Sequence, residues 1–400
     1  MRSRCIPFLL SILIILVTFP QSSSVAYAFQ HRLFPANGKT NDGHSNHFIR
    51  STRFACFTTA TTSDDEGTIR TAAASPFISV RECIDLFHKD DGGGQRNGDD
   101  GDGRGGGSIK FVDASWYHKG ERDGRDEYER GPRITGSTCH LDLSDLCDRA
   151  HSVKHMLPSS AMFAVAMDAW NIRRNDHVIL YGRANGGTAF LPRAWFIFAL
   201  FGHVKTSIMQ GTLDDWIAMG GPIEEHVVQT VRISDLYSIS SSLTSQNTTN
   251  YPIRSSIQSN RVATLEDMRK IISPKGPIDN TILLDARGSS FSNGHIPGSI
   301  HIPYSSLLDA KESGRYFRPR AELEHIFENV GIHLNNDTMM IPSRIICTCN
   351  SGVSACCLYL ALRECGVPES VLQVYDGSWQ EYTLYPDLPK VIPPKDTSNE

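Results

Sequence analysis

One segment restricts the folds open to this chain more than any other: Arg344-Ile-Ile-Cys-Thr-Cys349-Asn-Ser-Gly-Val-Ser354-Ala-Cys-Cys-Leu-Tyr-Leu-Ala-Leu-Arg-Glu-Cys-Gly366. A short β-branched run reads as a buried strand that stops at Cys349. A loop of small residues follows, then an apolar helical stretch closed by Gly366. Strand and helix signals alternate in this way through both halves of the chain, which predicts an α/β protein with mostly parallel sheets flanked by helices. A cysteine at a strand end, just before a helix, sits where backbone N–H groups and the helix dipole favour an anion. There a thiol pKa falls from about 8.5 into the physiological range, and the thiolate is a nucleophile. The competing reading is an inert core thiol, since cysteine is among the most buried residue types. Of the ten cysteines, Cys347 lies within the strand, and Cys356, Cys357 and Cys365 occupy helical positions suited to packing. The Cys-x-Cys and Cys-Cys spacings are not the paired Cys-x-x-Cys of zinc sites, so no metal and no cofactor are expected.

The loop Cys349-Asn-Ser-Gly-Val-Ser354 resembles the six-residue active-site loop of the rhodanese superfamily, above all the Cys-Gly-Ser-Gly-Val-Thr form of mercaptopyruvate sulfurtransferases. Other segments carry the same resemblance in the family's order. Leu283-Leu-Asp285-Ala-Arg287 and Gly294-His-Ile-Pro-Gly-Ser299 match the motifs that open a rhodanese domain, and Val374-Tyr-Asp-Gly-Ser-Trp379-Gln-Glu381 matches its closing motif. A degenerate copy precedes them. Phe111-Val-Asp113-Ala-Ser-Trp116-Tyr117, His155-Met-Leu-Pro158, Pro192-Arg193-Ala-Trp195 and Phe201-Gly-His203 resemble the family's N-terminal domain. Its loop after Tyr181, Gly182-Arg-Ala-Asn-Gly-Gly187, has no cysteine, so this half cannot carry sulfur. The resemblance implies two tandem rhodanese-like domains: an inactive one over 76–237, interrupted by a glycine-rich insertion at 90–108, and a catalytic one over 261–390. A Ser/Thr/Asn-rich linker, 238–260, joins them, and 391–400 is a tail.

The implied function is a sulfurtransferase. Cys349 would take a sulfane sulfur from thiosulfate or 3-mercaptopyruvate as a persulfide and pass it to cyanide, a small thiol or a protein thiol. Backbone N–H groups of Asn350, Ser351, Gly352, Val353 and Ser354 are placed to cradle the anion, with Gly352 turning the chain around the sulfur. Ser351 aligns with a serine used in proton handling by mercaptopyruvate enzymes, or else caps the helix. The resemblance adds His155 and Arg287 as substrate contacts, Arg287 having a structural ion pair as its other reading.

Departures from the family bear on the donor. The two carboxylate-binding arginines of mercaptopyruvate enzymes are absent: Ser290 holds the first place and the second falls in a deletion within Gly288-Ser-Ser-Phe-Ser-Asn293. Arginine is the side chain that grips a carboxylate in bidentate fashion, so weak mercaptopyruvate binding is expected. Ser144 stands where the family has an aspartate, and the neutral Asn350 and Ser351 replace the Arg and Lys of thiosulfate-specific loops. A Cys-x5-Arg phosphatase is excluded, because Ala355 stands six residues after Cys349. A non-catalytic binding or sulfur-sensing module that retained the fold is the alternative class.

A net charge of −5 gives no sign of nucleic-acid binding. Met1-Arg-Ser-Arg4, the apolar Ile6 to Phe19 and Ala26-Tyr-Ala28 read as a signal peptide over 1–28, leaving no membrane segment once it is removed. Residues 29–75 form a leader whose first part holds a single acidic residue, Asp42, through residue 63. With Phe29 after Ala28, this resembles the bipartite presequence of algae with secondary plastids. The expected address is the plastid by way of the secretory route, with a secreted, endomembrane or mitochondrial address as alternatives.

Overall fold

The structure is a computed structural model that describes residues 75–91, 107–117, 122–237, 251–252, 259–309, 317–334 and 342–392, together with a paired ribbon at 61–62 and 70–71. The expected signal peptide, nearly all of the expected leader, and most of the glycine-rich insertion, the linker and the tail lie outside the described residues. Residues 59–400 make one compact unit.

Two five-stranded sheets organise that unit. The N-terminal half runs β1 (Phe77–Ser79), α1 (Val80–Asp91), β2 (Ile109–Asp113), α2 (Gly124–Arg130), β3 (Cys139–His140), α3 (Ser160–Ala169), β4 (His177–Tyr181), α4 (Leu191–Leu200), β5 (Thr206–Gln210) and α5 (Leu213–Ala218). The C-terminal half runs β6 (Val262–Ala263), α6 (Leu265–Ile271), β7 (Thr281–Asp285), β8 (Ile300–His301), α7 (Arg320–Glu328), β9 (Arg344–Thr348), α8 (Ala355–Glu364), β10 (Leu372–Tyr375) and α9 (Ser378–Thr383). The sheet orders are β1-β5-β4-β2-β3 and β6-β10-β9-β7-β8, the same topology twice, and every pairing within them is parallel. Parallel strands covered on both faces read as continuous apolar runs, as His-Val-Ile-Leu-Tyr of β4 and Arg-Ile-Ile-Cys-Thr of β9 do.

Two helices bind the halves together. In α4 nearly every residue is buried, and in α8 every residue from Ala355 to Leu362 is buried. A helix that is apolar all round has no solvent face and must lie inside. These two meet each other: Phe196 and Tyr359 pack edge to face at 5.0 Å, and the Cys357 thiol lies 3.5 Å from the Ala189 carbonyl. A single apolar cluster therefore runs through both halves, with a smaller one on the far face of each sheet. No helix among the described residues is long and apolar enough to cross a membrane.

Candidate active site

Cys349 follows the last residue of β9, the central strand of its sheet, and its side chain is 1% exposed. The loop is tied to the start of α9. Trp379 and Gln380 donate their N–H groups to the carbonyls of Cys349 and Asn350 at 3.0 and 2.9 Å. The Ser378 hydroxyl accepts from the N–H groups of Cys349 (3.0 Å) and Gly352 (3.1 Å), donates to the Tyr375 carbonyl (2.7 Å), and stands 4.0 Å from the Cys349 sulfur. Ser378 reaches this position from a left-handed backbone, φ 52°. That conformation costs an ordinary residue about 1–2 kcal/mol, so the hydroxyl contacts hold it. Gly352 has φ 74°, and a β-carbon there would stand 2.4 Å from the Asp376 carbonyl oxygen. Only glycine fits.

The N–H groups of Asn350, Ser351, Val353 and Ser354 find no partner among the described residues, whereas that of Gly352 is held by Ser378. The expected cradle thus loses one of its five donors to an internal bond. Ser354, at the start of α8, makes no side-chain cap, and Ser351 does not cap the helix either. Burial pushes the other seven described thiols upward: Cys356 and Cys365 to about 12, Cys147 to about 11, and Cys83, Cys139, Cys347 and Cys357 well above the usual range. They stay protonated at neutral pH and are poor nucleophiles.

The N-terminal half supplies the opposite wall. His155, in a left-handed backbone at φ 63°, sets its Nδ1 3.4 Å from the Ser351 hydroxyl and its Nε2 3.4 Å from the Ser144 hydroxyl. Both contacts are long, as weak hydrogen bonds are. The Trp116 indole N–H donates to Ser144 at 2.9 Å, and its ring packs edge-on against His155. Ser144 thus occupies the place of the family's aspartate with a neutral partner for the imidazole. Arg193 of α4 donates to the His155 carbonyl (2.7 Å) and stands 2.8 Å from Asp376 Oδ1, at an angle too poor for a hydrogen bond, so that link is ionic. Asp376 Oδ2 accepts the Leu157 N–H at 2.7 Å. Burial alone would lower the Arg193 pKa, but the Asp376 carboxylate outweighs it and the guanidinium is held charged. Asp376 and Ser378 lie within a motif visible in the sequence, yet nothing local marked either as touching the loop.

The substrate contact expected of Arg287 does not fit its surroundings. Its guanidinium grips Asp285 (Nη2 to Oδ2, 2.8 Å), donates to the Gly294 carbonyl (2.9 Å) and lies 4.9 Å from the Trp379 ring centre. At 4% exposed it locks the corner of β7, which is its structural reading. Beside it the shortened 288–293 segment is closed by Phe291, stacked between His295 (4.1 Å) and His301 (4.3 Å), and leaves Ser290 exposed. In the N-terminal half the corresponding Asp113 is gripped by Arg183 (3.0 Å), which comes from the loop itself. A buried arginine therefore folds into the loop that would have carried a cysteine.

Tandem parallel sheets of identical order, one bearing a cysteine loop at its central strand, define an α/β protein of the rhodanese type. A rhodanese-like domain model matches residues 264–384. The chain is 31% identical over 283 residues to the thiosulfate sulfurtransferase of Bos taurus, covering 70% of this chain and 86% of that protein. It is 30% identical over 306 residues to thiosulfate/3-mercaptopyruvate sulfurtransferase 2 of Arabidopsis thaliana, covering 71% of this chain and 82% of the relative. The crystal structure of SseA from Escherichia coli, a 3-mercaptopyruvate sulfotransferase, superposes with a TM-score of 0.56 at 25% identity, covering 76% of this chain and 99% of that one. The chain belongs to the rhodanese superfamily and is a sulfurtransferase.

Proposed function

We propose that Cys349 carries the transferred sulfur. What supports this most is its position: it alone among the described cysteines directly follows a central strand and opens a loop in which four backbone N–H groups have no partner among the described residues. The thiolate attacks the outer sulfur of thiosulfate, the S–S bond breaks, and sulfite leaves with the electron pair. With 3-mercaptopyruvate the C–S bond breaks instead, and the carbon takes the electron pair and a proton to become pyruvate; Ser351 and His155, 3.4 Å apart, are the groups assigned to that proton. Attack of cyanide or a thiolate on the outer persulfide sulfur returns the Cys349 thiolate, which gives ping-pong kinetics. Substrates in this reading are small anionic donors and small or protein thiols. Intact-mass measurement after exposure to either donor tests it: a gain of about 32 Da, one sulfur, is expected and should vanish in Cys349→Ser together with thiocyanate production. Turnover retained by that variant would move the chemistry to another group.

For the address we propose plastid import. The support is the pairing of an Ala-x-Ala-Phe junction with a stretch, 29–63, whose single acidic residue is Asp42. A relative from Arabidopsis thaliana, 29% identical, is named as mitochondrial, which supports the other organellar address. A fluorescent fusion of residues 1–70 separates the two, and Phe29→Ala should divert a plastid-bound fusion to an earlier secretory compartment. Mitochondrial signal from the unaltered fusion would reject the plastid reading.

A further inference from the structure

The two donors differ by one proton. Thiosulfate gives up its outer sulfur by S–S cleavage, sulfite leaves with the electron pair, and no proton moves. With 3-mercaptopyruvate the C–S bond breaks, the carbon keeps the electron pair, and the proton of the donor's S–H ends on that carbon. In the reading above, that proton passes over Ser351 and His155, whose Nδ1 stands 3.4 Å from the Ser351 hydroxyl. Proton transfer by a placed side chain contributes about 10²–10⁴-fold and requires hydrogen-bond reach. Whatever holds these two side chains opposite each other therefore selects between donors.

His155 and Ser351 are 196 residues apart and belong to different halves. His155 has a left-handed backbone, φ 63°, which an ordinary residue keeps only where its surroundings hold it. Its turn is held through the main chain at each residue. Arg193 Nη2 donates to the His155 carbonyl at 2.7 Å, the Asp148 N–H donates to the Met156 carbonyl at 2.9 Å, and the Leu157 N–H donates to Asp376 Oδ2 at 2.7 Å. Two of these three holds come from one buried ion pair, Arg193–Asp376, at 2.8 Å. Asp376 also backs the cysteine loop. A β-carbon on Gly352, the neighbour of Ser351, would stand 2.4 Å from the Asp376 carbonyl oxygen and 2.9 Å from its Oδ1. One residue thus lies against both the turn that presents His155 and the loop that presents Ser351.

We infer that Arg193 and Asp376 are positioning residues for the proton step: they fix His155 against Ser351 and so set how well this chain uses a donor whose sulfur leaves carbon. The inference rests on Cys349 as the sulfur carrier. Neither side chain has to reach the donor, since each acts through the main chain of the turn. Releasing the turn shifts the imidazole but leaves the cysteine loop framed, because Ser378, Trp379 and Gln380 hold that loop from α9. A displacement of about 1 Å can cost a positioned step about 100-fold. Thiosulfate, which needs the loop and no proton, escapes that loss.

The test separates positioning from stability. Arg193→Met combined with Asp376→Leu replaces a buried ion pair by apolar side chains, a change that is often neutral or stabilising, and removes both holds on the turn. Persulfide formation on Cys349 is timed by mass in single turnovers of the full chain, at saturating thiosulfate and at saturating 3-mercaptopyruvate, alongside the melting temperature. The double variant should be about 100-fold slower with 3-mercaptopyruvate and lose far less with thiosulfate, even where its melting temperature is recovered. Asp376→Asn keeps an oxygen for the Leu157 N–H and gives up the charge. It should show a smaller loss with the same donor bias, and it carries the test alone if the double variant fails to fold. Equal losses with both donors, or full rates with both, would overturn the inference, as would an unaltered chain that takes sulfur from thiosulfate and none from 3-mercaptopyruvate. An unaltered chain that forms no persulfide on Cys349 from either donor would reject the sulfur carrier itself, and the inference with it.

Discussion

At the residue scale the question is what holds the donor. With serine at 290, the second arginine's place deleted and Arg287 committed to Asp285, two charge-assisted hydrogen bonds to a substrate carboxylate are missing. Each is worth about 1.5–3 kcal/mol, so mercaptopyruvate should bind tens- to thousands-fold more weakly than in relatives that keep both arginines. Thiosulfate, a compact anion that loop N–H groups can hold, should lose less. Ser290 is exposed, so Ser290→Arg can be accommodated and should lower the KM for mercaptopyruvate more than that for thiosulfate. Steady-state kinetics with both donors decide it. A micromolar KM for mercaptopyruvate in the unaltered chain would mean that other cations supply the clamp. Arg193 is a poor candidate, being buried against Asp376.

At the element scale the loop keeps its shape through its link to α9. Ser378 is fully buried, and its hydroxyl serves two loop N–H groups. Ser378→Ala would strand both, at about 1–3 kcal/mol each, and would leave a non-glycine residue in a left-handed backbone without its contacts. A lower melting temperature and a larger fall in kcat than in donor affinity are expected, since the nucleophile's loop loses its frame. An unchanged kcat would show that Ser378 is dispensable.

A second element is fixed by His203, which lies between the Tyr251 hydroxyl (2.9 Å) and the Asp176 carbonyl (3.0 Å) and pins the chain beyond residue 250 to the N-terminal half. Burial pushes its pKa down to about 4 from 6.5, and His177 is held low for the same reason. A depressed histidine contributes stability above pH 6.5. That stability is lost as the pH falls toward 4, because the unfolded chain takes up the proton and the folded one does not. The loss is about 3 kcal/mol for His203. Urea unfolding between pH 7 and 4 should show it, and His203→Gln should flatten the slope.

For the whole molecule, the pair Arg193–Asp376 joins the halves directly behind the cysteine loop. Both side chains are buried, at 1% and 7% exposed. Removing one partner of a buried pair typically costs about 3–5 kcal/mol, because the remaining charge is uncompensated. Arg193→Met should therefore lower the melting temperature and speed alkylation of Cys349 as the halves loosen. Adding Asp376→Leu should recover much of the stability. A double variant as unstable as the sum of the two single ones would show that the residues act independently.

The sequence by itself determined the alternation of strand and helix, the two halves, and the placing of Cys349 between a strand and a helix. Those features follow from periodicity and short-range steric preference, which a linear chain displays openly. The apolar helical stretch that became α8, closed by Gly366, was legible as well. Which polar residues meet at the loop was decided only by tertiary structure. Ser378 lies 29 residues from Cys349, and His155 lies 196 residues from Ser351. Arg287 was ambiguous between substrate and ion pair until the fold placed Asp285, Gly294 and Trp379 around it. The grip of Arg183 on Asp113, 70 residues apart, has no local signature at all. A side chain's partner is a property of packed surroundings, and the sequence carries no record of those until the chain closes on itself.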